Sequence, residues 1–163
     1  MKRIRIGKSK IAGRGVFAGE NIRKGEFVAV FKGKLIHKEY KTKSDLHVGK
    51  TWNSVGRNWW IVPDAPFKFM NHSCSPNLGF KTAQRMYALR DIAKDEELTF
   101  DYSTTEYVDF WAIPCSCQSP SCRKVVRAVQ YLPPEIYKRY LPYIPRFFRN
   151  VYAQYHKREK MRL

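Results

Sequence analysis

Two short stretches hold most of the reactive side chains of this 163-residue chain. In FMNHSCSPN, residues 69–77, an amide, an imidazole, a hydroxyl and a thiol follow one another and close at a proline turn. In PCSCQSPSCR, residues 114–123, Cys115, Cys117 and Cys122 follow a C-x-C-x4-C spacing. Three thiolates this close can hold one face of a tetrahedral zinc, and Cys74 is the remaining cysteine that would complete it. Two disulfides, or three thiolates joined by His72, are the alternatives that the spacing leaves open. Ser73 beside His72 reads as a turn or backbone partner, because no histidine–acid pair is placed to activate its hydroxyl.

The elements that must carry these groups are short. In EELTFDYS, residues 96–103, strand alternation puts Phe100 and Tyr102 on one side, and Glu96, Glu97 and Asp101 read as structural or solvent-facing carboxylates. Gly13, Gly15, Gly19, Gly25 and Gly33 bracket the runs VFA, FVAVF and LIH, which predicts a β-meander. TWNSV, NWWIV, MYAL and ELTFDY supply further strands, while HKEYKTKSDLH, residues 37–47, is too polar for a core strand and predicts an exposed helical or loop insert. After the cysteines the pattern changes. Pro133 and Pro134 can start a helix, and Pro142 and Pro145 interrupt it before a final one. In that last segment Ile144, Phe147, Phe148, Val151, Tyr152 and Tyr155 recur at helical spacing among basic and polar residues. The fold class is therefore mainly β with a C-terminal amphipathic α-helical tail.

Composition bounds the setting. With 44% hydrophobic and 15% aromatic residues the chain can bury one sizeable core. It has no apolar run of about 18 residues and no signal-like apolar stretch at its N-terminus, which predicts an intracellular, soluble protein without membrane contact. In such a compartment cysteines serve as metal ligands more often than as disulfides. The formal net charge is +17, and it is unevenly spread: residues 1–50 carry +10, residues 51–122 carry −2 and residues 123–163 carry +9. Basic arms of this kind suit nucleic acid or an acidic partner, or form a solvated face that keeps the chain soluble.

Taken in order, Gly-x-Gly near the N-terminus, Asn-His-Ser-Cys, Glu-Leu-Thr-Phe-Asp-Tyr and C-x-C-x4-C closely resemble the SET-domain protein lysine methyltransferases that carry a post-SET zinc site. The matched segments span residues 13–123. The resemblance implies a SET-domain fold of short β-sheets over residues 1–112, a zinc-bound post-SET segment over 113–130 and a basic aromatic helical tail over 131–163. It implies S-adenosylmethionine and zinc as cofactors. Gly13, Arg14 and Gly15 match the loop lying against the methionine part of the cofactor, Asn71 and His72 match the residues holding its amino group and adenine, and Arg123 matches a residue covering the adenine. Cys74, Cys115, Cys117 and Cys122 match the zinc ligands. Tyr102 matches the catalytic tyrosine, and Phe100 the position that limits how many methyl groups the lysine channel admits; a phenylalanine there implies di- or trimethylation. Where many members have a tyrosine two residues before a glycine, this chain has Phe31-Lys32-Gly33, and Phe31 reads as a packing residue.

The implied reaction sets a physical requirement. Methyl transfer needs the neutral lysine amine, whereas an unperturbed lysine of pKa about 10.4 is less than about 0.1% neutral at pH 7. A channel walled by Phe100, Tyr102 and other aromatics desolvates the ammonium and lowers its pKa, with no carboxylate base required. The implied substrate is a lysine-containing protein: a histone, another chromatin or DNA-associated protein, a ribosomal protein or the enzyme itself, in the cytoplasm or, in a eukaryote, on nuclear chromatin. The competing reading is a zinc-stabilised nucleic-acid-binding module with an inactive SET site. The charge of both arms favours it and the intact Tyr102 opposes it.

Overall fold

The computed structural model describes residues 1–44 and 52–162. Among these residues are twelve short strands, of which the glycine-bracketed runs supply β2–β4: β1 (Ile4–Lys8), β2 (Arg14–Ala18), β3 (Phe27–Val30), β4 (Gly33–His37), β5 (Asn53–Gly56), β6 (Trp59–Pro63), β7 (Asn71–His72), β8 (Leu78–Phe80), β9 (Arg85–Ala88), β10 (Glu97–Phe100), β11 (Ala112–Pro114) and β12 (Val125–Arg127). Two α-helices follow, α1 (Pro134–Tyr140) and α2 (Arg146–Lys160). Among the described residues no helix is long and apolar enough to cross a membrane.

The strands do not form a meander. The largest sheet runs β1-β2-β10-β8-β9-β3 with β7 also on β10, a second sheet runs β4-β6-β5, and β11 pairs with β12. Successive strands pair only as the local hairpins β1-β2, β5-β6, β8-β9 and β11-β12. The rest is set by burial: Val16, Ala18, Val28, Ala29, Leu98 and Phe100 are too apolar to leave on open edges, and they share one core cluster. Strand β1 carries no composition signal because three of its residues are exposed, yet it pairs with β2 from Ile4↔Ala18 to Lys8↔Arg14 and caps that edge with charge. Of the predicted insert at 37–47, His37 closes β4, residues 38–44 contain no strand or α-helix, and 45–47 lie outside the described residues.

Strand β10 positions the chemistry. Its first half pairs antiparallel with β2 through Glu97↔Phe17 and Leu98↔Val16, and its second half pairs parallel with β7 through Thr99↔Asn71 and Phe100↔His72. Asn77 locks this junction, its side chain accepting the Thr99 N–H at 2.9 Å and donating to the Glu97 carbonyl at 2.8 Å. One strand thus carries the glycine loop on one half and the Asn-His-Ser-Cys segment on the other. Phe31 packs as expected, its ring centroid 5.3, 5.9 and 6.1 Å from those of Phe67, Phe80 and Phe100.

The tail folds as its prolines predict: Pro134 opens α1 and Pro145 precedes α2. Ile144 and Phe148 are fully buried, and with Tyr140 and Tyr152 they form a cluster that also receives Leu89 and Tyr107. Burying such a side chain is worth roughly 1.5–3 kcal/mol. Two hydrogen bonds strap the tail to the sheet, from the Tyr140 hydroxyl to the Cys74 carbonyl (3.2 Å) and from the Phe80 N–H to the Tyr143 carbonyl (3.0 Å).

Candidate active site

The glycine loop is fixed from behind by three polar side chains. Ser9 Oγ lies 2.9 Å from both Glu97 carboxylate oxygens, and Asn71 Nδ2 lies 2.7 Å from Glu97 Oε1, 3.0 Å from Ser9 Oγ and 3.0 Å from the Arg14 carbonyl. A Cβ on Gly15 would overlap the Glu97 carboxylate and displace it from Ser9 and Asn71, so the second glycine serves the protein's own packing. Gly13 differs: its φ is +47°, and no atom lies within 4 Å of the place a Cβ would take. Arg14 lays its guanidinium 3.8 Å from the Phe69 ring centroid. Gly13, Arg14, Gly15 and Asn71 therefore converge, with an open face at Gly13 where a ligand can approach the backbone. Glu97, read from sequence as structural or solvent-facing, is the loop's anchor.

Tyr102 is not on the strand. Strand β10 ends at Phe100, and Tyr102 opens a 3-10 turn, Tyr102–Thr105, capped by the Asp101 side chain accepting the Ser103 N–H. The expected adjacency survives, with the Phe100 and Tyr102 rings 4.9 Å apart. The Tyr102 hydroxyl donates to the Met70 carbonyl at 2.7 Å. Burial, helped by the Glu97 charge, pushes this phenol well above its usual range and keeps it protonated. His72, edge-on to Tyr102 at 5.3 Å, accepts the Tyr102 N–H at Nδ1 (3.2 Å). Burial lowers it to about 4, against the pull of Asp101, so the ring is neutral. Arg123 is seated inward: it donates to Asp101 Oδ1 at 2.6 Å, and both its backbone N–H and Nε lie 3.4 Å from Cys74 Sγ.

Behind His72 lie the cysteines. All four are free thiols, which removes the disulfide alternative. The ligand atoms of His72, Cys74, Cys115 and Cys117 lie within 4.8 Å of one another. Cys115 Sγ is 3.9 Å from Cys74 Sγ and 3.8 Å from Cys122 Sγ. Zinc bonded to sulfur at about 2.3 Å in a tetrahedron requires sulfur–sulfur edges of about 3.8 Å, so the donor set fits that ion. The cluster has one donor more than a tetrahedron needs: His72, whose Nε2 is 3.2 Å from Cys74 Sγ, lies in the mutually close group, and Cys122 reaches it through Cys115. Burial tends to raise the Cys117 thiol, but the N–H groups of Cys74 and Ser119 and the neighbouring thiols outweigh it and bring it to about 7.

On the other side of Tyr102 is a cavity of about 70 Å³, lined by Phe31, Phe67, Met70, Phe100, Tyr102 and Trp111 among others. Its wall includes Glu106, which is 4% exposed and whose Oε1 accepts the N–H groups of Tyr107 (2.7 Å) and Val108 (2.9 Å). Burial raises this carboxyl to about 8 against those two bonds. Sequence reasoning missed Glu106, because a glutamate in the polar run STTE carries no mark of burial.

A family model described as SET domain matches residues 13–103, more than half of the chain. Over 140 residues the chain is 33% identical to the histone-lysine N-methyltransferase, H3 lysine-4 specific, of Schizosaccharomyces pombe, covering 75% of this chain and 15% of that protein. Over 134 residues it is 34% identical to the histone-lysine N-methyltransferase trithorax of Drosophila virilis, covering 72% of this chain and 3% of that protein. The chain thus spans only a small part of these relatives. Among solved structures, a humanized mutant of the Chaetomium thermophilum Polycomb Repressive Complex 2 bound to the inhibitor GSK126 superposes with TM-score 0.52 at 26% identity, over 64% of this chain and 15% of that one. KRYPTONITE in complex with mCHH DNA, an H3(1-15) peptide and SAH shares the fold, with TM-score 0.55 at 23% identity over 78% of this chain and 30% of that one.

Proposed function

This chain belongs to the SET-domain family, and on that premise we propose that it methylates the ε-amine of lysine in a protein, using S-adenosylmethionine. The observation that carries the reading is the Tyr102 hydroxyl, held on the Met70 carbonyl at the wall of an aromatic cavity and kept protonated by burial. The cofactor, when bound, supplies a sulfonium methyl. Gly13, Arg14, Gly15, Asn71, His72 and Arg123 are the residues that would hold it, the open face at Gly13 giving the backbone close access. Cys74, Cys115, Cys117 and Cys122 would hold zinc and pin the segment carrying Arg123 against His72.

The chain's own part is to prepare the amine. Phe31, Phe67, Phe100 and Trp111 remove water from the ammonium and favour its neutral form. The Tyr102 dipole and the Met70 carbonyl fix the direction from which the amine nitrogen approaches, so positioning supplies most of the rate. Phe100 carries no hydroxyl into the cavity, which leaves room for a methylated amine, and the product is di- or trimethyl-lysine. The names of the relatives and the H3 peptide bound to KRYPTONITE support a histone-type lysine as substrate. The basic face of α2, with Lys157, Arg158 and Lys160 in its last turn, suits phosphate and would place the enzyme on nucleic acid beside that substrate.

The test is incubation with isotope-labelled S-adenosylmethionine and core histones, followed by mass spectrometry of the lysines. Methylated lysine is expected, together with cofactor binding by calorimetry. Absence of both would return the chain to the inactive nucleic-acid-binding module.

A further inference from the structure

The cavity holds a carboxyl that lysine methylation as described leaves without a task. Glu106 lines the same space as Phe31, Phe100, Tyr102 and Trp111. Its Oε1 is taken by the Tyr107 and Val108 N–H groups, which pins the side chain and leaves Oε2 for the cavity. Among the described residues no arginine, lysine or histidine forms an ion pair with it. The other ionisable groups around it are engaged elsewhere: Lys68 lies over the Phe69 ring at 5.2 Å, Tyr102 donates to Met70, and the Tyr107 hydroxyl donates to Asn58 Oδ1 at 3.0 Å. A buried carboxylate with no cation is costly and is a candidate for chemistry on whatever enters beside it.

Resting on the lysine-methylation reading, we propose that Glu106 accepts the proton that the substrate ammonium sheds as the lysine chain enters the cavity. One N–H bond of the ammonium breaks with its electron pair staying on nitrogen, and an O–H bond forms at Oε2. The step runs from the ionised form of Glu106, whose share grows as pH rises towards 8: a cation and an anion become a neutral amine and a neutral acid, the pair that an apolar cavity tolerates better. The proton passes to water when the product lysine leaves. An ordinary carboxylate, at pKa about 4.3, is too weak a base for this exchange. Burial brings this one to about 8, far closer to a desolvated lysine, and matched pKa values make proton transfer efficient.

Glu106→Gln tests the proposal, because the amide oxygen can still accept both N–H groups and the turn keeps its shape. In protein carrying carboxyl-13C glutamate and no substrate, one resonance should titrate near pH 8 and be missing from the variant. With an H3(1-15) peptide or core histones, the parent rate should rise with pH and level off above about pH 8. The variant should be about 100-fold slower at pH 7, and the gap should close towards about pH 10 as lysine deprotonates in solution. Lack of the titrating resonance, an unchanged profile, or an equal loss at every pH would each overturn the assignment. If the parent transfers no methyl at all, the methylation reading falls and this one falls with it; if the parent is active and only the profile is unmoved, this one alone falls.

Discussion

The cysteine corner and the aromatic cavity meet where the His72 ring lies edge-on to Tyr102, yet they are held together in opposite ways. In the corner, Cys74, Cys115, Cys117, Cys122 and His72 come from two short stretches of chain, with sulfur–sulfur distances of 3.9 and 3.8 Å that suit an ion. In the cavity, Phe31, Phe67, Phe100, Tyr102 and Trp111 arrive from four separated parts of the chain and close by packing. The corner joins the closely spaced Cys115, Cys117 and Cys122 to Cys74 and would be completed by a bound ion, which would let it be opened reversibly. The cavity is assembled by topology and is dismantled only by changing side chains.

Metal removal gives the largest effect. A strong chelator should abolish methyl transfer and lower the melting temperature, while zinc restores both; full activity in zinc-free protein would reduce the corner to ordinary packing. Cys122→Ser should lose zinc and His72→Gln should keep it, measured as metal content after dialysis. The reverse result would assign the fourth position to the imidazole. Tyr102→Phe then separates the two regions: transfer should fall by about 100-fold, roughly 3 kcal/mol, with zinc content and fold unchanged. Near-normal turnover would take the hydroxyl out of the chemistry.

A smaller effect is expected from pH alone. Because Glu106 is raised to about 8 in the folded protein, the native state holds its proton over a range where the unfolded chain, at about 4.5, has lost it. The contribution of Glu106 to stability should therefore be full below about pH 4.5 and be lost as pH rises towards 8, by a few kcal/mol, read as the difference between denaturant melts of the parent and of Glu106→Gln, because His72, lowered to about 4, acts in the opposite sense in both proteins. The smallest change in rate is expected from Phe100→Tyr, which fills the cavity with a hydroxyl. The first transfer should be nearly unchanged and the product should shift to monomethyl-lysine, read by mass spectrometry at long incubation. A parent that already stops at monomethyl-lysine would show that another residue closes the cavity.

The two regions were unequally legible in the sequence for the same physical reason. The C-x-C-x4-C spacing brings its donors within reach by local geometry, and the tail helix follows from Pro134, Pro145 and the Ile144–Phe148–Tyr152 stripe. Strand existence was readable wherever valine, phenylalanine and tryptophan lay between glycines. Strand order was not, because the pairing of β2 with β10 across some eighty residues is decided by which apolar faces bury together. Glu97 and Glu106 were invisible as site residues for a related reason: a carboxylate shows its partner only after the chain has folded, and theirs are Asn71 with Ser9 in one case and two backbone N–H groups in the other.

Strand β10 also sets an order of events during synthesis. A nascent chain halted before Glu97 already contains the residues of β1, β2, β7 and β8, but not the strand that joins β2 to β7 and β8. Until that strand emerges, the edge of β2 away from β1 has no partner and stays open to other chains. Folding speed should then follow this long-range closure, and expression should respond to whatever shields that edge during the wait.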